Sequence, residues 1–286
     1  MYHPLQVKLI RLYFAIVGRL FPSLAVRSAH RIFHYPVNSK RINHNALPLP
    51  TPTLFDITLH EGIYLQGYRW GKEEHPKVLL VHGWSTTAQS MTYFADMLLK
   101  NSYQVISYDA PRHGKSTRNS KHFSNLAGWA DVVATVVKNE GKVECIIAHS
   151  FGTAAVTVAS KLGLQTKKLV YIAPIGDMIR VANKVGKHLG ISENIIQKMY
   201  AYTWSQNKEA FERYANTWDN LIHSSFHVPT LIYHDKEDRE IPLEHSKIIC
   251  KRWTWATLKK TKGLGHRKIL DDENVAKGVL SFIQAS

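Results

Sequence analysis

The chain has only two cysteines, Cys145 and Cys250, in 286 residues. A disulfide framework is thereby excluded as the source of stability, and a reducing, cytoplasmic compartment is the expectation. Long apolar runs are scarce at the N-terminus. Within Leu5–His34 the longest uninterrupted one, Leu12 to Gly18, falls far short of the roughly 20 residues that span a bilayer. No small-residue cleavage site of the signal-peptide kind follows it. Neither H-E-x-x-H nor G-x-x-x-x-G-K-[ST] occurs, and the 16 histidines are scattered. Zinc-protease chemistry and a phosphate-cradling loop are therefore excluded, and no metal or cofactor is expected. Internal repeats and low-complexity segments are missing too, which leaves an ordinary globular chain.

One absence is local: residues 1–55 contain no Asp or Glu. The same stretch holds seven cations, Lys8, Arg11, Arg19, Arg27, Arg31, Lys40 and Arg41, out of 37 Lys and Arg set against 22 Asp and Glu. About half of the net charge of +15 thus sits in the first fifth of the chain. Leu5, Leu9, Leu12, Ile16 and Leu20 recur there at helical spacing with cations offset from them. One or two amphipathic helices, broken near Pro22, are expected. They either pack on the rest of the protein or lie, peripherally, on an anionic membrane surface. Nucleic-acid binding would rest on charge alone, without a motif, and is not expected. Residues 36–52, with Pro36, Pro48, Pro50 and Pro52, read as a linker that closes an N-terminal unit, 1–52.

From residue 53 the rhythm changes. TLFDITLHEG and IYLQGYRWG read as an antiparallel pair turning around Glu61–Gly62. KVLLVHG, YQVISYDAP, VECIIAHS, KKLVYIAP, VPTLIYHD and WATLKKTKG read as further strands, most of them apolar throughout and separated by helical stretches. Near-continuous apolar strands in β-α alternation imply a mostly parallel sheet with helices on both faces, and functional loops at the carboxyl ends of the strands. Residues 175–226 break the alternation with aromatic-rich helical sequence (Tyr200, Tyr202, Trp204, Phe211, Tyr214, Trp218), which suggests a small helical cap inserted into a domain spanning 53–286.

Between an apolar strand and a small-residue helix lies Ala148-His149-Ser150-Phe151-Gly152. A sharp strand-to-helix turn needs small neighbours and leaves its central hydroxyl at a helix amino end, where the dipole favours negative charge. With KVLLVHGW ending in His82-Gly83-Trp84, with Asp109-Ala110-Pro111-Arg112-His113-Gly114-Lys115-Ser116, and with later loops around Asp238 and His266, this order of signatures resembles the α/β-hydrolase superfamily. Ala148 stands where the first glycine of G-x-S-x-G is usual, and Arg112 where the D-x-P-G-H-G-x-S turn has glycine. The resemblance covers roughly residues 53–286 and implies the α/β-hydrolase fold. It makes Ser150 the nucleophile and His266, in Gly263-Leu264-Gly265-His266, the general base. Register of His234-Asp235-Lys236-Glu237-Asp238-Arg239-Glu240-Ile241-Pro242 against H-G-x-x-D-x-x-V-P selects Asp238 as the acid. Asp235 is the runner-up, and Asp177 is the candidate if the acid lies one loop earlier. The backbone N–H groups of Trp84 and Phe151 are the implied oxyanion donors. His82 reads as an ordering residue, and the Asp109–Ser116 turn as structural.

The implied reaction is cleavage of a carboxylic ester, or a related acyl compound, through an acyl-serine intermediate, with a small-molecule substrate apolar on one side. A serine in the elbow disfavours dehalogenases and epoxide hydrolases, which place an aspartate there. Acyltransferases, thioesterases and amidases share the constellation, so the subtype stays open. A membrane-docked lipid hydrolase uses the same residues, and a non-catalytic binding protein on this fold is the reading of another class.

Overall fold

The computed structural model describes residues 3–36, 49–59, 63–117, 125–206, 208–213 and 227–285. In chain order its elements are α1 (Pro4–Leu20), α2 (Pro22–His34), β1 (Thr53–Thr58), β2 (Tyr64–Trp70), β3 (Lys77–Val81), α3 (Thr92–Leu99), β4 (Gln104–Tyr108), α4 (Leu126–Glu140), β5 (Val143–His149), α5 (Phe151–Ala159), β6 (Thr166–Ile172), α6 (Met178–Leu189), α7 (Glu193–Gln206), α8 (Lys208–Arg213), β7 (Thr230–Asp235), α9 (Glu244–Arg252), β8 (Ala256–Thr261), α10 (Gly265–Lys268) and α11 (Glu273–Gln284). Parts of three expectations lie outside the described residues: linker positions 37–48, the turn at 60–62, and 214–226 of the segment read as a cap.

The strands form one eight-stranded sheet in the order β1-β2-β4-β3-β5-β6-β7-β8. β1 pairs antiparallel with β2, and β2 with β4; every other pairing is parallel. This is the mostly parallel sheet that the apolar strands imply. All five residues of β4 and all six of β7 are buried, whereas the edge strands β1 and β8 are largely open to solvent. On one face α4 and α5 pack through Trp129, Val133, Ala155 and Val158; on the other α3 and α11 pack through Phe94, Leu98, Val275 and Val279.

Strand register determines what meets at the carboxyl ends. Val81 pairs with Ala148, His149 with Ile172, Ile172 with Tyr233, and Asp235 with Thr261. The loops after β3, β5, β7 and β8 therefore emerge side by side. β4 and β5 flank β3 on opposite sides, so the chain reverses its direction of winding there, and a crevice opens at such a switch point.

The N-terminal helices do not stand apart from the rest. Val7 and Phe14 of α1, and Ala25, Val26 and Ala29 of α2, share a third apolar core with Ala182, Leu189, Ile195, Ile196 and Met199 of α6 and α7. Arg11 Nε donates to the His188 carbonyl at 2.9 Å, and Tyr13 and Ser28 hydroxyls bond at 2.6 Å. Of the two fates open to this segment, packing on the rest of the protein is thus realised by its inward face. Ile196 is fully buried in that core, so Ile196→Ala is expected to lower the free energy of unfolding by about 2–5 kcal/mol, read from the urea midpoint. An unchanged midpoint would mean that the N-terminal pair contributes no packing there.

Candidate active site

Ser150 occupies a single position between β5 and α5, with φ 51° and ψ −121°. That is a left-handed, strained conformation for a residue with a side chain. Its N–H donates to the Ile172 carbonyl at 3.0 Å, tying the turn to β6. A Cβ on Gly152 would lie 2.5 Å from the His82 carbonyl oxygen, and one on Gly83 would lie 3.1 Å from the Ser150 Cβ. Close backbone approach requires glycine at 152, and at 83 a larger residue would crowd the His149 and Ser150 side chains. Ala148 is fully buried, so its methyl group is accommodated where glycine is usual. Although Ser150 sits at the N-cap of α5, its side chain caps nothing.

That hydroxyl instead faces a histidine. His266 Nε2 lies 3.0 Å from Ser150 Oγ, and His266 Nδ1 lies 2.7 Å from Asp238 Oδ2. All three residues are buried. Burial pushes the Asp238 carboxyl up, but hydrogen bonds from His234 and His266, the His266 charge, and the Ile241 N–H outweigh it and hold it well below the usual carboxylate range. Its Oδ1 accepts the N–H groups of Glu240 and Ile241 at 2.8 and 2.9 Å. An ionised Asp238 can only accept, so His266 Nδ1 carries a proton, and in the neutral imidazole Nε2 then presents a lone pair to the serine hydroxyl.

The other two acid candidates lie elsewhere. Asp235 accepts from Thr261 Oγ1 at 2.8 Å and from the Glu237 and Leu264 N–H groups at 2.9 and 3.0 Å, bracing the β7 and β8 loops against each other. Asp177 caps α6 through the Arg180 N–H at 3.0 Å and pairs with the Arg180 guanidinium.

Trp84 and Phe151 are brought together beside Ser150, their rings edge-on with centroids 5.3 Å apart. Neither N–H donates to a partner among the described residues. His82 orders the loop between them: its Nδ1 donates to the Gly83 carbonyl at 2.8 Å while Nε2 accepts the Ala110 N–H at 2.9 Å. The turn after β4 works with it. Asp109 accepts from Ala88 N–H, Lys115 N–H and Tyr68 Oη, and His113 Nε2 accepts the Ser85 N–H at 2.9 Å. Arg112, standing in for the usual glycine, has φ 68°.

A family model described as the alpha/beta hydrolase family matches residues 78–277. This chain belongs to the α/β-hydrolase family. A Synechocystis sp. protein provisionally named a non-heme chloroperoxidase is 26% identical over 208 residues, 58% of this hydrolase and 75% of the relative. A bifunctional esterase/perhydrolase of Acinetobacter calcoaceticus is 27% identical over 97 residues, 34% of this chain and 35% of its own. Among solved structures, a bacterial membrane phospholipase A has a similar fold, with a TM-score of 0.64 at 16% identity over 99% of both chains.

Two histidines of this hydrolase escaped sequence reasoning. His149 Nε2 meets the His266 carbonyl oxygen at 3.0 Å, and the two rings lie 4.7 Å apart. His234 Nε2 contacts the Ile241 carbonyl at 2.8 Å and Asp238 Oδ2 at 3.4 Å, with Ser246 Oγ on its other nitrogen at 2.6 Å. Arg267, next to the base, makes a two-point pair with Glu240 at 2.9 and 3.2 Å. His149 adjoins Ser150, Arg267 adjoins His266, and His234 stands at the histidine of H-G-x-x-D-x-x-V-P, four residues before Asp238; these positions were the only available signal.

Burial holds several histidines of the hydrolase neutral. It lowers His82 and His149 below the ordinary value of 6.5, and takes His34 and His113 down to about 3. Below 6.5 the unfolded chain binds protons at these positions that the folded chain excludes, so stability rises with pH through this window and is lost on acidification. The slope is at most about 1.4 kcal/mol per pH unit per histidine. The urea midpoint at pH 5 should therefore fall well below that at pH 7. Equal midpoints would contradict neutral, buried imidazoles.

Proposed function

We propose that this α/β-hydrolase cleaves carboxylic esters through an acyl-Ser150 intermediate. The observation that carries the reading is the buried line from Ser150 Oγ through His266 to Asp238, at 3.0 and 2.7 Å. Ser150 Oγ attacks the ester carbonyl carbon while His266 Nε2 takes its proton. The carbonyl oxygen becomes an oxyanion, for which the Trp84 and Phe151 N–H groups are the proposed donors; one such donor is typically worth about 10²–10³ in rate. Collapse breaks the carbon–oxygen bond to the alcohol, which leaves with the proton from His266. Water then adds to the acyl carbon with His266 again as base, and the acid departs as the serine hydroxyl is regenerated. Asp238 holds the imidazole in one tautomer and offsets its transient positive charge.

The esterase/perhydrolase among the similar proteins supports an ester substrate, and the aromatic surroundings of Ser150 support an apolar acyl or alcohol group. Helices α6 and α7, within the segment 175–226, are the proposed cap.

Hydrolysis of p-nitrophenyl acetate tests this. Ser150→Ala, His266→Ala and Asp238→Asn should each lower kcat by about 10³-fold or more. The Ser150→Ala/His266→Ala double variant should be no slower than Ser150→Ala, because the two residues act as one unit. Turnover that survives Ser150→Ala within a few-fold would reject the mechanism.

A further inference from the structure

Exposed large apolar side chains are concentrated at one place in this molecule. Of the eleven among the described residues, seven lie between Leu5 and Leu24. Leu5, Leu9, Leu12, Ile16 and Leu20 are each between 50% and 66% exposed. At about 100° per residue they fall within about 80° of one side of α1. The opposite side of α1, through Val7 and Phe14, is already spent on the core shared with α6 and α7. Internal packing therefore does not account for the outer stripe. Phe21 at the corner and Leu24 on α2 extend it, and the Tyr13–Ser28 hydrogen bond joins the two helices along its border.

The flanks carry charge of one sign. Lys8 and Arg19 border the stripe on α1, Arg27 and Arg31 are exposed on α2, and no acidic residue occurs before Asp56. A leucine stripe edged by cations matches a surface that is apolar inside and anionic outside. A second copy of this chain fits less well, since stripe against stripe would bring like charges together. The surface is also fixed relative to the site. Tyr35, which ends α2, lies under the Arg112 guanidinium at 3.8 Å, and the neighbouring His113 holds the Ser85 N–H beside Trp84.

From this placement we infer that α1 and α2 dock the protein peripherally on an anionic phospholipid surface, and that the ester it cleaves is drawn from that lipid. The docking stands independently; the lipid-ester substrate rests on the esterase reading above. The stripe lies in the interface plane, and the cations engage phosphate headgroups. Each cation close to such a surface strengthens binding about fivefold.

Deleting the helices would uncover the third core, so point variants test the idea. Full-length protein carrying Ser150→Ala, which cannot consume lipid by the proposed route, is sedimented with phosphatidylcholine vesicles with and without phosphatidylglycerol. It should pellet with the anionic vesicles and be released by salt. Leu9→Gln/Leu12→Gln/Ile16→Gln should weaken binding at least about tenfold, as should Lys8→Gln/Arg19→Gln. A parent protein left in the supernatant, or an apolar variant that pellets like its parent, would overturn the docking. So would a parent dimer, seen by light scattering, that the apolar variant turns into monomer without vesicle binding. With Ser150 intact, the apolar variant should keep its p-nitrophenyl acetate turnover and lose vesicle phospholipid hydrolysis about tenfold or more. A wild-type protein that binds vesicles and turns over the soluble ester but leaves phospholipid intact overturns the substrate half. Failure on the soluble ester as well would reject the esterase reading and leave the vesicle result to decide docking alone.

Discussion

Everything at this site depends on one backbone constraint: the chain must leave β5 and begin α5 within a single residue. Ser150 meets it at φ 51°, a conformation that costs of order 1–3 kcal/mol and persists only where the surroundings impose it. The imposition is visible in the Ile172 carbonyl that takes the Ser150 N–H, and in two glycines that let the β3 backbone press against the turn. The consequence is chemical. A serine in an ordinary helix-capping conformation would bond its own helix; this one leaves its hydroxyl for His266.

Around that turn the α/β-hydrolase spends its polar residues on rigidity. Asp109, His82 and His113 knit the loops after β3 and β4, and Asp235 braces those after β7 and β8. His149 and His234 hold the base and the acid from behind. These groups are buried and, apart from His149 Nδ1, hydrogen-bonded among the described residues, which holds Ser150, His266 and Asp238 in place. The same burial underlies the expected acid sensitivity, since each neutral buried imidazole resists the proton that the unfolded chain accepts.

Much of this was legible in the sequence, for identifiable reasons. Apolar strands such as VECIIAHS announce a parallel sheet because both of their faces must be covered. Motif order and register selected Ser150, Asp238 and His266, which the fold brings into one hydrogen-bonded line, while Asp235 and Asp177 went to bracing and capping. Contacts that depend on loop geometry were not legible: nothing in the string HDKEDRE says that His234 turns back on Asp238. The N-terminal segment is the most instructive case. Its helical periodicity marked Leu5, Leu9, Leu12, Ile16 and Leu20 as one face, but periodicity does not say which way a face points. The stripe is outward, and Val7 and Phe14 make the inward contact.

Intact-mass labelling with a fluorophosphonate tests directly whether Ser150 is an activated nucleophile. A single adduct is expected that maps to Ser150, is absent from Ser150→Ala, and forms far more slowly in His266→Ala. A folded wild-type protein that takes no adduct, or takes it at another residue, would contradict that role.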